Sequence, residues 1–462
     1  MPRSLDFGAA YYPEHWPEEH WPRDIELMRA AGFTVVRLAE FAWSTMEPEE
    51  GRFDFDWLAR AIDLLSAAGI ATVLGTPTAA PPAWLTQRYP STLATIDMQG
   101  HRDSHGARCH YCVNDPTYHE KSTAIASAMA ARFGSRADVI GWQIDNEYSR
   151  VCYCPTCRSA FREFLQARFG DLETLNRRWA TAYWSETYQS WDQIDPPAHT
   201  VSNPGLVLAW REFVTESYRV FQGKQVAAIR AHVSPDVWIT HNFMKWFDGF
   251  DHYAMSQDLD LASWDWYEPT GWADALASGA MHDLVRGYKR RTFWLMETQP
   301  GHVNWSRTNI DLQHGRAQAW AWHAIGHGAD AVLYWQWRNA LNGQEQMHGS
   351  LIDQSGQPRP FYAEAQAVGA DLALARDVLA GTTVQARVAI LHDFGSRWLL
   401  DNQRHHGDFD YIEHLLRLYR AIAGQNISVD VVSADADLSG YAVVVAPALA
   451  LFTPERIDRL AA

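Results

Sequence analysis

Short apolar runs alternate with longer amphipathic stretches along most of the chain. The short runs are rich in β-branched and aromatic residues, as buried strands are, whereas the longer stretches repeat apolar positions at helical spacing. Strands are predicted at Leu5–Tyr11, Thr34–Ala39, Ala71–Gly75, Val139–Asp145, Val237–Asn242, Leu261–Trp264, Phe293–Glu297 and Ala331–Trp335. Helices are predicted at Trp21–Ala31, Asp56–Ala68, Tyr118–Phe133, Ser159–Phe169, Leu206–Val233, Asp274–Arg290 and Asp311–His327. Eight strands with helices between them predict a closed (β/α)8 TIM barrel.

A second unit begins after Gly381. Its predicted strands are Arg387–Leu391, Ile427–Val432 and Tyr441–Ala446, with helices at Tyr411–Ala423 and Pro454–Leu460. We therefore predict a (β/α)8 barrel over residues 1–381 and the first part of a second α/β domain, with a parallel sheet, over residues 382–462. Parallel sheets normally need helices on both faces, so this second domain is expected to be truncated. An open doubly wound sheet is the alternative for the first unit, although no glycine-rich phosphate loop follows its first strand.

Two of the predicted barrel strands lead into a glutamate. The fourth runs into Asn146-Glu147, and the seventh ends in Glu297. In a barrel, side chains at the carboxyl ends of the strands form the active site, so both glutamates are expected at its mouth. A lone glutamate there is more often a cap or salt-bridge partner, but a facing pair is typical of glycoside hydrolysis. A separation of about 5–5.5 Å between the two carboxyl groups gives retention of configuration at the anomeric carbon.

Glycoside hydrolysis needs two carboxyl groups with different roles. One protonates the leaving oxygen, and the other stabilises or attacks the anomeric carbon. The general acid must hold its proton near neutral pH, and burial beside a second carboxylate is expected to raise its pKa. Asn146 is expected to donate a hydrogen bond to the 2-hydroxyl of the sugar.

Several motifs resemble glycoside hydrolase family 42, whose members are β-galactosidases. The matching segments, in chain order, are 11–16 (YYPEHW), 37–44 (RLAEFAWS), 80–85 (APPAWL), 110–112 (HYC), 145–148 (DNEY) and 296–297 (ME). The resemblance runs from Phe7 to the end of the chain. It implies a retaining β-galactosidase that cleaves terminal β-D-galactosyl residues through a covalent galactosyl-enzyme. By the same resemblance, Glu147 is the general acid/base and Glu297 the nucleophile.

The resemblance also implies a set of sugar-binding residues. Arg108 is similar to an arginine that contacts galactose hydroxyls, and Trp305 to a platform tryptophan. Trp335, at the end of the last strand, is expected to line the same pocket. Arg37 matches an arginine at the barrel mouth, but it could equally be a buried arginine paired with Glu40.

Three further residues are candidates for contacts with the sugar. Glu345 and His348 resemble a family pair that binds sugar hydroxyls. A carboxylate that accepts hydrogen bonds from hydroxyl groups contributes about 1.5–3 kcal/mol for each bond. Tyr267 is a further candidate, although a tyrosine at that point could equally belong to the core.

Four of the five cysteines have the spacing of a metal site. Cys152, Cys154 and Cys157 lie within six residues of one another, and Cys112 is expected to supply a fourth sulfur. Four thiolates suit a tetrahedral structural zinc ion, and some members of the resembled family carry zinc there. Reduced thiols without metal are the alternative. Cys109 is not expected to be a ligand, and no catalytic cofactor is expected.

Composition restricts the partners. The chain has 39 Lys and Arg against 55 Asp and Glu, a formal net charge of −16, which argues against nucleic acid and anionic membrane. Its 22 tryptophans favour a carbohydrate ligand, since indole rings stack on sugars as well as filling cores.

No signal peptide or membrane span is visible, and the cysteines do not resemble a secreted framework, so a cytoplasmic location is expected. The resemblance implies a homotrimer.

Two other functions remain open from the sequence. The first is a related glycosidase, such as a β-mannanase or an α-L-arabinopyranosidase, whose sugar is galactose without its 6-hydroxymethyl group. The second is a sugar-binding barrel without catalysis, which would have no need of both glutamates. The natural aglycone (lactose, galactan fragments or arabinogalacto-oligosaccharides) is not determined by these patterns.

Overall fold

A computed structural model describes residues 5–197 and 202–461. One parallel sheet contains nine strand segments: β1 (Asp6–Ala10), β2 (Val35–Leu38), β3 (Ala71–Gly75), β4 (Val139–Gln143), β5 (Trp238–Thr240), β6 (Asn242–Met244), β7 (Ser263–Trp266), β8 (Phe293–Thr298) and β9 (Ala329–Tyr334). Their order is β5-β4-β3-β2-β1-β9-β8-β7-β6. The two end segments are separated only by His241, so they are halves of one strand and the sheet closes on itself. The predicted eight-stranded barrel is confirmed.

Helices surround this barrel. Those of the first domain are α1 (Trp21–Ala30), α2 (Trp43–Met46), α3 (Asp56–Ala67), α4 (Ala83–Arg88), α5 (Pro116–Phe133), α6 (Pro155–Phe169), α7 (Leu172–Trp179), α8 (Pro204–Arg230), α9 (His252–Ser256), α10 (Ala275–Lys289), α11 (Arg316–Gly326) and α12 (Pro360–Leu379). Their apolar faces lie against the strands. In α3, for example, Leu58, Ile62 and Leu65 are fully buried, at the spacing of one helix face. Across the described residues no helix is both long and apolar enough to cross a membrane.

The fifth and sixth strands differ from the predicted ones. Val237–Asn242 was expected to be continuous, but it breaks at His241. There the ring contacts the Ile144 carbonyl oxygen at 2.8 Å and lies 3.4 Å from the Tyr148 amide nitrogen. The ring thus supports the segment that follows β4. The sixth strand was expected to end at Trp264, but it continues to Trp266 and brings Asp265 into register with Glu297.

A second parallel sheet follows the barrel. It contains β10 (Val388–His392), β11 (Val429–Ser433) and β12 (Val443–Val445) in the order β11-β10-β12, with helices α13 (Phe394–Asn402), α14 (Tyr411–Ala423) and α15 (Pro454–Ala461). Helix α10 packs directly on β11. Arg286 donates hydrogen bonds to the Val429 carbonyl oxygen at 2.8 Å and to Asp430 at 2.7 Å. A Cβ atom at Gly287 would lie 1.9 Å from the Val431 carbonyl oxygen, so only glycine permits this close contact.

Candidate active site

A cavity of about 380 Å³ opens at the carboxyl ends of the barrel strands. Nine of the ten residues predicted to act on the sugar line it: Arg108, Asn146, Glu147, Tyr267, Glu297, Trp305, Trp335, Glu345 and His348. Phe41, Met244, Lys245 and Asp265 complete the lining. The tenth predicted residue, Arg37, is fully buried and contacts Glu297 without lining the cavity.

The two predicted catalytic glutamates meet in this cavity. Carboxylate oxygens of Glu147 and Glu297 lie within 4.8 Å of each other, although the residues follow different strands. Retaining glycosidases hold their two carboxyl groups about 5–5.5 Å apart, whereas inverting enzymes need roughly 6.5–9.5 Å to admit a water molecule. The observed approach is therefore the one that a covalent, two-step displacement requires.

Both carboxylate oxygens of Glu297 are fixed by strong donors. Arg37 Nη2 lies 2.6 Å from Oε1, and the hydroxyl of Tyr267 donates to Oε2 at 2.6 Å. Arg37 also pairs with Glu40 at 2.8 Å, as the alternative of a buried arginine expects. Burial raises the pKa of Glu297, with a further contribution from Glu147, and Arg37 opposes that rise. The contact with Glu297 places Tyr267 in the site and not in the general core.

Glu147 is paired with an arginine. Nη1 of Arg108 lies 2.6 Å from Oε2 of Glu147. Burial acts to raise the pKa of Glu147, but the charge and hydrogen bond of Arg108 outweigh it, so the pKa lies below its ordinary value. The sequence led us to expect a raised pKa for this group. The difference arises because Arg108, expected to contact the sugar, pairs with the carboxylate of Glu147.

The backbone around Glu147 is strained. Asp145 and Glu147 have φ values of 54° and 42°, a left-handed conformation that side-chain-bearing residues seldom adopt. The Asp145 carboxylate holds the turn, because its Oδ2 accepts from Thr78 Oγ1 at 2.5 Å and from the Tyr111 hydroxyl at 3.0 Å. Cys109 Sγ adds a bond to the Asn146 carbonyl oxygen at 3.1 Å. These contacts fix Glu147 at the cavity wall.

Two of the predicted sugar contacts have unused hydrogen-bonding capacity. Oδ1 of Asn146 accepts from Asn242 Nδ2 at 2.9 Å, which leaves the amide NH2 to donate into the cavity. Burial lowers the pKa of His348 to about 4, so its ring is neutral. Nδ1 of His348 lies 3.0 Å from the Gly349 carbonyl oxygen, and Nε2 is buried without a partner among the described residues. A neutral histidine that donates a hydrogen bond through Nδ1 can accept one from a sugar hydroxyl at Nε2.

Aromatic rings and a third acidic residue complete the wall. Trp305 is 54% exposed and meets the Tyr267 ring edge-on at 5.9 Å, so one of its faces is available to a sugar ring. Trp335 packs edge-on against His348 at 4.5 Å between ring centroids. Burial raises the pKa of Glu345, with Arg108 opposing.

Asp265 and Asn242 are polar site residues that the sequence analysis missed. Asp265 is 3% exposed and its side chain accepts from Asn242 Nδ2 at 2.5 Å. A signal was available, because the aspartate stands between two tryptophans in the segment 263–266 (SWDW). A buried charge inside a strand is rare without a functional or pairing role.

The four cysteines predicted as metal ligands lie together beside the active-site loops. The sulfur atoms of Cys112, Cys152, Cys154 and Cys157 all lie within 4.8 Å of one another, and the pairs Cys112–Cys154 and Cys112–Cys157 are 3.6 and 3.5 Å apart. A tetrahedral zinc ion with bonds of about 2.3 Å to sulfur sets its ligands roughly 3.8 Å apart, which fits this cluster. Cys109 lies outside the cluster, as expected.

Comparisons with known proteins match nearly the whole chain to β-galactosidases. The model of a family described as β-galactosidase matches residues 10–375, and that of a β-galactosidase trimerisation domain matches residues 386–462. A β-galactosidase of Thermus thermophilus is 41% identical over 474 aligned residues, which cover 98% of this chain and 73% of that protein. The solved structure of a β-galactosidase from the Antarctic haloarchaeon Halorubrum lacusprofundi superimposes with a TM-score of 0.94 at 42% identity, over 99% of this chain and 71% of that one. A cold-adapted β-galactosidase from Rahnella gives a TM-score of 0.95 at 35% identity, over 99% of this chain and 69% of that one.

Proposed function

The chain belongs to glycoside hydrolase family 42, and on that premise we propose that it is a retaining β-galactosidase with Glu147 as general acid/base and Glu297 as nucleophile. The observation that carries this assignment is the approach of the two carboxylates within 4.8 Å. The first step breaks the glycosidic C–O bond. Glu147 gives its proton to the leaving oxygen while Glu297 forms a bond to the anomeric carbon.

The second step returns both residues to their starting state. Glu147, now a carboxylate, takes a proton from a water molecule as that water attacks the anomeric carbon and releases Glu297. Arg37 and Tyr267 stabilise the carboxylate of Glu297 when it leaves. Two displacements give overall retention, so proton NMR of the early reaction should show β-galactose as the first sugar released. Initial release of the α anomer would contradict the covalent mechanism.

Galactose recognition is assigned to residues that line the cavity. Trp305 provides a ring that stacks on the apolar face of the sugar. His348 and Glu345 accept hydrogen bonds from the sugar hydroxyl groups, and Arg108 and Asn146 donate hydrogen bonds to them. α-L-Arabinopyranosides remain a second substrate class, because that sugar lacks only the 6-hydroxymethyl group. A panel of nitrophenyl glycosides tests the assignment. We expect the highest kcat/KM with the β-D-galactoside. A higher value with the α-L-arabinopyranoside or the β-D-mannoside would reassign the enzyme.

Room for the aglycone lies next to the sugar cavity. A second cavity of about 840 Å³ shares Phe41, Arg108, Trp305, Trp335 and Glu345 with the first. Its other lining residues include polar side chains such as His15, His105 and Gln344. A shared wall supports a substrate whose galactosyl unit occupies the smaller cavity and whose aglycone, such as a second sugar, lies in the larger one.

We propose that the cysteine cluster binds a structural zinc ion. Its four sulfurs leave no coordination position for water, so the site suits a structural and not a catalytic metal. Backbone amides support the negative charge of four thiolates: the amide nitrogen of Thr95 lies 3.3 Å from Cys152 Sγ, and that of Cys157 lies 3.5 Å from Cys154 Sγ. When bound, zinc would fasten the loop carrying Cys112 to the segment after Glu147. Clustered reduced cysteines are also the basis on which we infer a cytoplasmic location.

We infer that the catalytic domain spans residues 1–381 and that the second domain starts at residue 382. The match to the first family model ends at residue 375 and the match to the second begins at residue 386. The proposed boundary lies between them, which supports it. The match to a trimerisation domain supports assembly of the protein into oligomers, and we propose a homotrimer. Light scattering tests this: a mass of three chains is expected, and a dimer would contradict it.

A further inference from the structure

A third carboxyl group lies between the two catalytic glutamates. Asp265 is on β7 and pairs in register with Glu297 on the neighbouring strand β8. One oxygen of each of Glu147, Asp265 and Glu297 lies within 4.8 Å of the other two. Asp265 also lines the sugar cavity and is 3% exposed. It is therefore part of the same buried acidic cluster as the two glutamates.

The hydrogen bonds of Asp265 are incomplete for a carboxylate. Its Oδ2 accepts from Asn242 Nδ2 at 2.5 Å. Its Oδ1 is buried, and within residues 5–197 and 202–461 it has no donor. A buried ionised carboxylate with an unbonded oxygen is costly, whereas a protonated one can use that oxygen to donate to a neighbouring carboxylate. The incomplete bonding favours the protonated form.

The charges that face Asp265 favour the same form. Arg37 on β2 contacts Glu297 and Glu40, and Arg108 from the loop before α5 contacts Glu147. Lys245, after β6, is paired with Glu268. Tyr267, the residue after β7, contributes a neutral phenol and no charge, and its hydroxyl donates to Glu297. Among the described residues Asp265 has no ion pair of its own and lies beside two carboxylates, although the charge of Arg37 acts to lower its pKa.

Three carboxylates so close together cannot all be ionised at modest cost. Burial raises the pKa of Asp265 well above its ordinary value, and the charges of Glu297 and Glu147 add to the rise. Together with the missing donor at Oδ1, these directions favour a proton on Asp265 and an ionised Glu147 beside Arg108.

We propose that Asp265 is a positioning residue that holds, in the empty enzyme, the proton which Glu147 later delivers to the leaving group. This inference rests on the proposed function. When a galactoside takes over the hydrogen bonds of Arg108, the O–H bond of Asp265 breaks and an O–H bond forms on Glu147. Asp265 becomes a carboxylate that retains the bond from Asn242. After hydrolysis, Glu147 has regained a proton from water, and that proton returns to Asp265 as Arg108 binds Glu147 again.

The first test compares Asp265→Asn with the unaltered enzyme on two substrates. The amide keeps the shape and can still donate to Glu147, but it cannot release a proton to it. For lactose, which needs protonation of the leaving group, the alkaline limb of kcat/KM should move to lower pH by more than about one unit. For a dinitrophenyl β-galactoside, whose leaving group needs no proton, kcat/KM at alkaline pH should fall by a smaller factor than it does for lactose. An unchanged alkaline limb with lactose would overturn the proposal.

A second measurement needs no turnover, so it does not depend on how active Asp265→Asn is. Infrared spectroscopy detects the carbonyl stretch of a protonated carboxylic acid. At neutral pH, subtracting the spectrum of Asp265→Asn from that of the unaltered enzyme should leave such a band, and Glu147→Gln should retain it. Absence of the band from the difference spectrum against Asp265→Asn would place the proton on another group and overturn the proposal. If the unaltered enzyme cleaved no β-galactoside, the proposed function would fail, while the infrared result would still decide where the proton resides.

Discussion

Tyr267 donates a hydrogen bond of 2.6 Å to Oε2 of Glu297, while Arg37 contacts the other carboxylate oxygen, Oε1, at the same distance. With both oxygens bonded, the carboxylate has a fixed orientation at the cavity wall. A nucleophile aligned in this way avoids the entropic cost of orienting itself during attack. We therefore expect this tyrosine hydroxyl group to contribute to catalysis without reacting itself.

Removing that hydroxyl should slow the reaction more than it weakens binding. A hydrogen bond to a charged group contributes about 1.5–3 kcal/mol, so Tyr267→Phe should lower kcat by roughly 10- to 100-fold, with a smaller change in KM. Steady-state kinetics with nitrophenyl β-galactoside measures this. Tyr183→Phe, an exposed tyrosine on the surface, is the control and should leave both constants unchanged. A Tyr267→Phe enzyme within twofold of the original would show that the bond has no catalytic role.

Truncation of the two glutamates should give distinguishable enzymes. Glu297→Ala should lose turnover of every substrate, because no galactosyl-enzyme can form. Glu147→Ala should lose activity on lactose by at least about 100-fold and retain more on dinitrophenyl β-galactoside, which departs without protonation. Added azide should then rescue Glu147→Ala and give β-galactosyl azide, identified by NMR. An α-azide product would mean that the two roles are reversed.

The cysteine cluster predicts one zinc ion per chain. Elemental analysis of purified protein measures this directly, and brief treatment with a chelator should leave the activity intact. Cys154→Ser should lower the melting temperature more than it lowers kcat, because a structural metal adds to folding stability. Cys109→Ser, outside the cluster, is the matched control and should retain the zinc. Protein free of metal would support reduced thiols, and immediate loss of activity on chelation would indicate a catalytic ion.

A buried histidine in the second domain predicts acid-dependent stability. His392 is fully buried among aromatic rings, and burial lowers its pKa from 6.5 to about 3, with Arg397 contributing. Because the unfolded chain takes up the proton first, its contribution to stability is complete above pH 6.5 and is lost as the pH falls toward 3. The slope is at most about 1.4 kcal/mol per pH unit.

Replacing His392 with phenylalanine should flatten this dependence. Denaturant unfolding of His392→Phe at a series of acidic pH values gives the free energies to compare with the unaltered protein. His405→Phe changes an exposed histidine and should leave the pH dependence as it is. Identical slopes in the original and His392→Phe would show that this ring does not contribute to acid sensitivity.

The fold and the pairing of the two glutamates follow from patterns visible in the sequence, whereas most of the sugar contacts were implied by the family resemblance. Glu147 and Glu297 could be paired because the carboxyl ends of barrel strands meet at one mouth. Asp265 was missed because its polar side chain made the sixth strand seem to end one residue earlier, at Trp264. The contact between Arg108 and Glu147 could not be predicted either. It depends on which rotamer a long side chain adopts in the folded site, and strand periodicity carries no information about rotamers.

The most direct test of the assigned mechanism is to trap the covalent intermediate. A dinitrophenyl 2-deoxy-2-fluoro-β-galactoside should react with the enzyme and then hydrolyse slowly, because fluorine destabilises the second transition state. Proteolysis and mass spectrometry then locate the label. The account predicts a single fluorogalactosyl group on Glu297. A label on Glu147 or on another residue, or turnover of the reagent without any label, would contradict it.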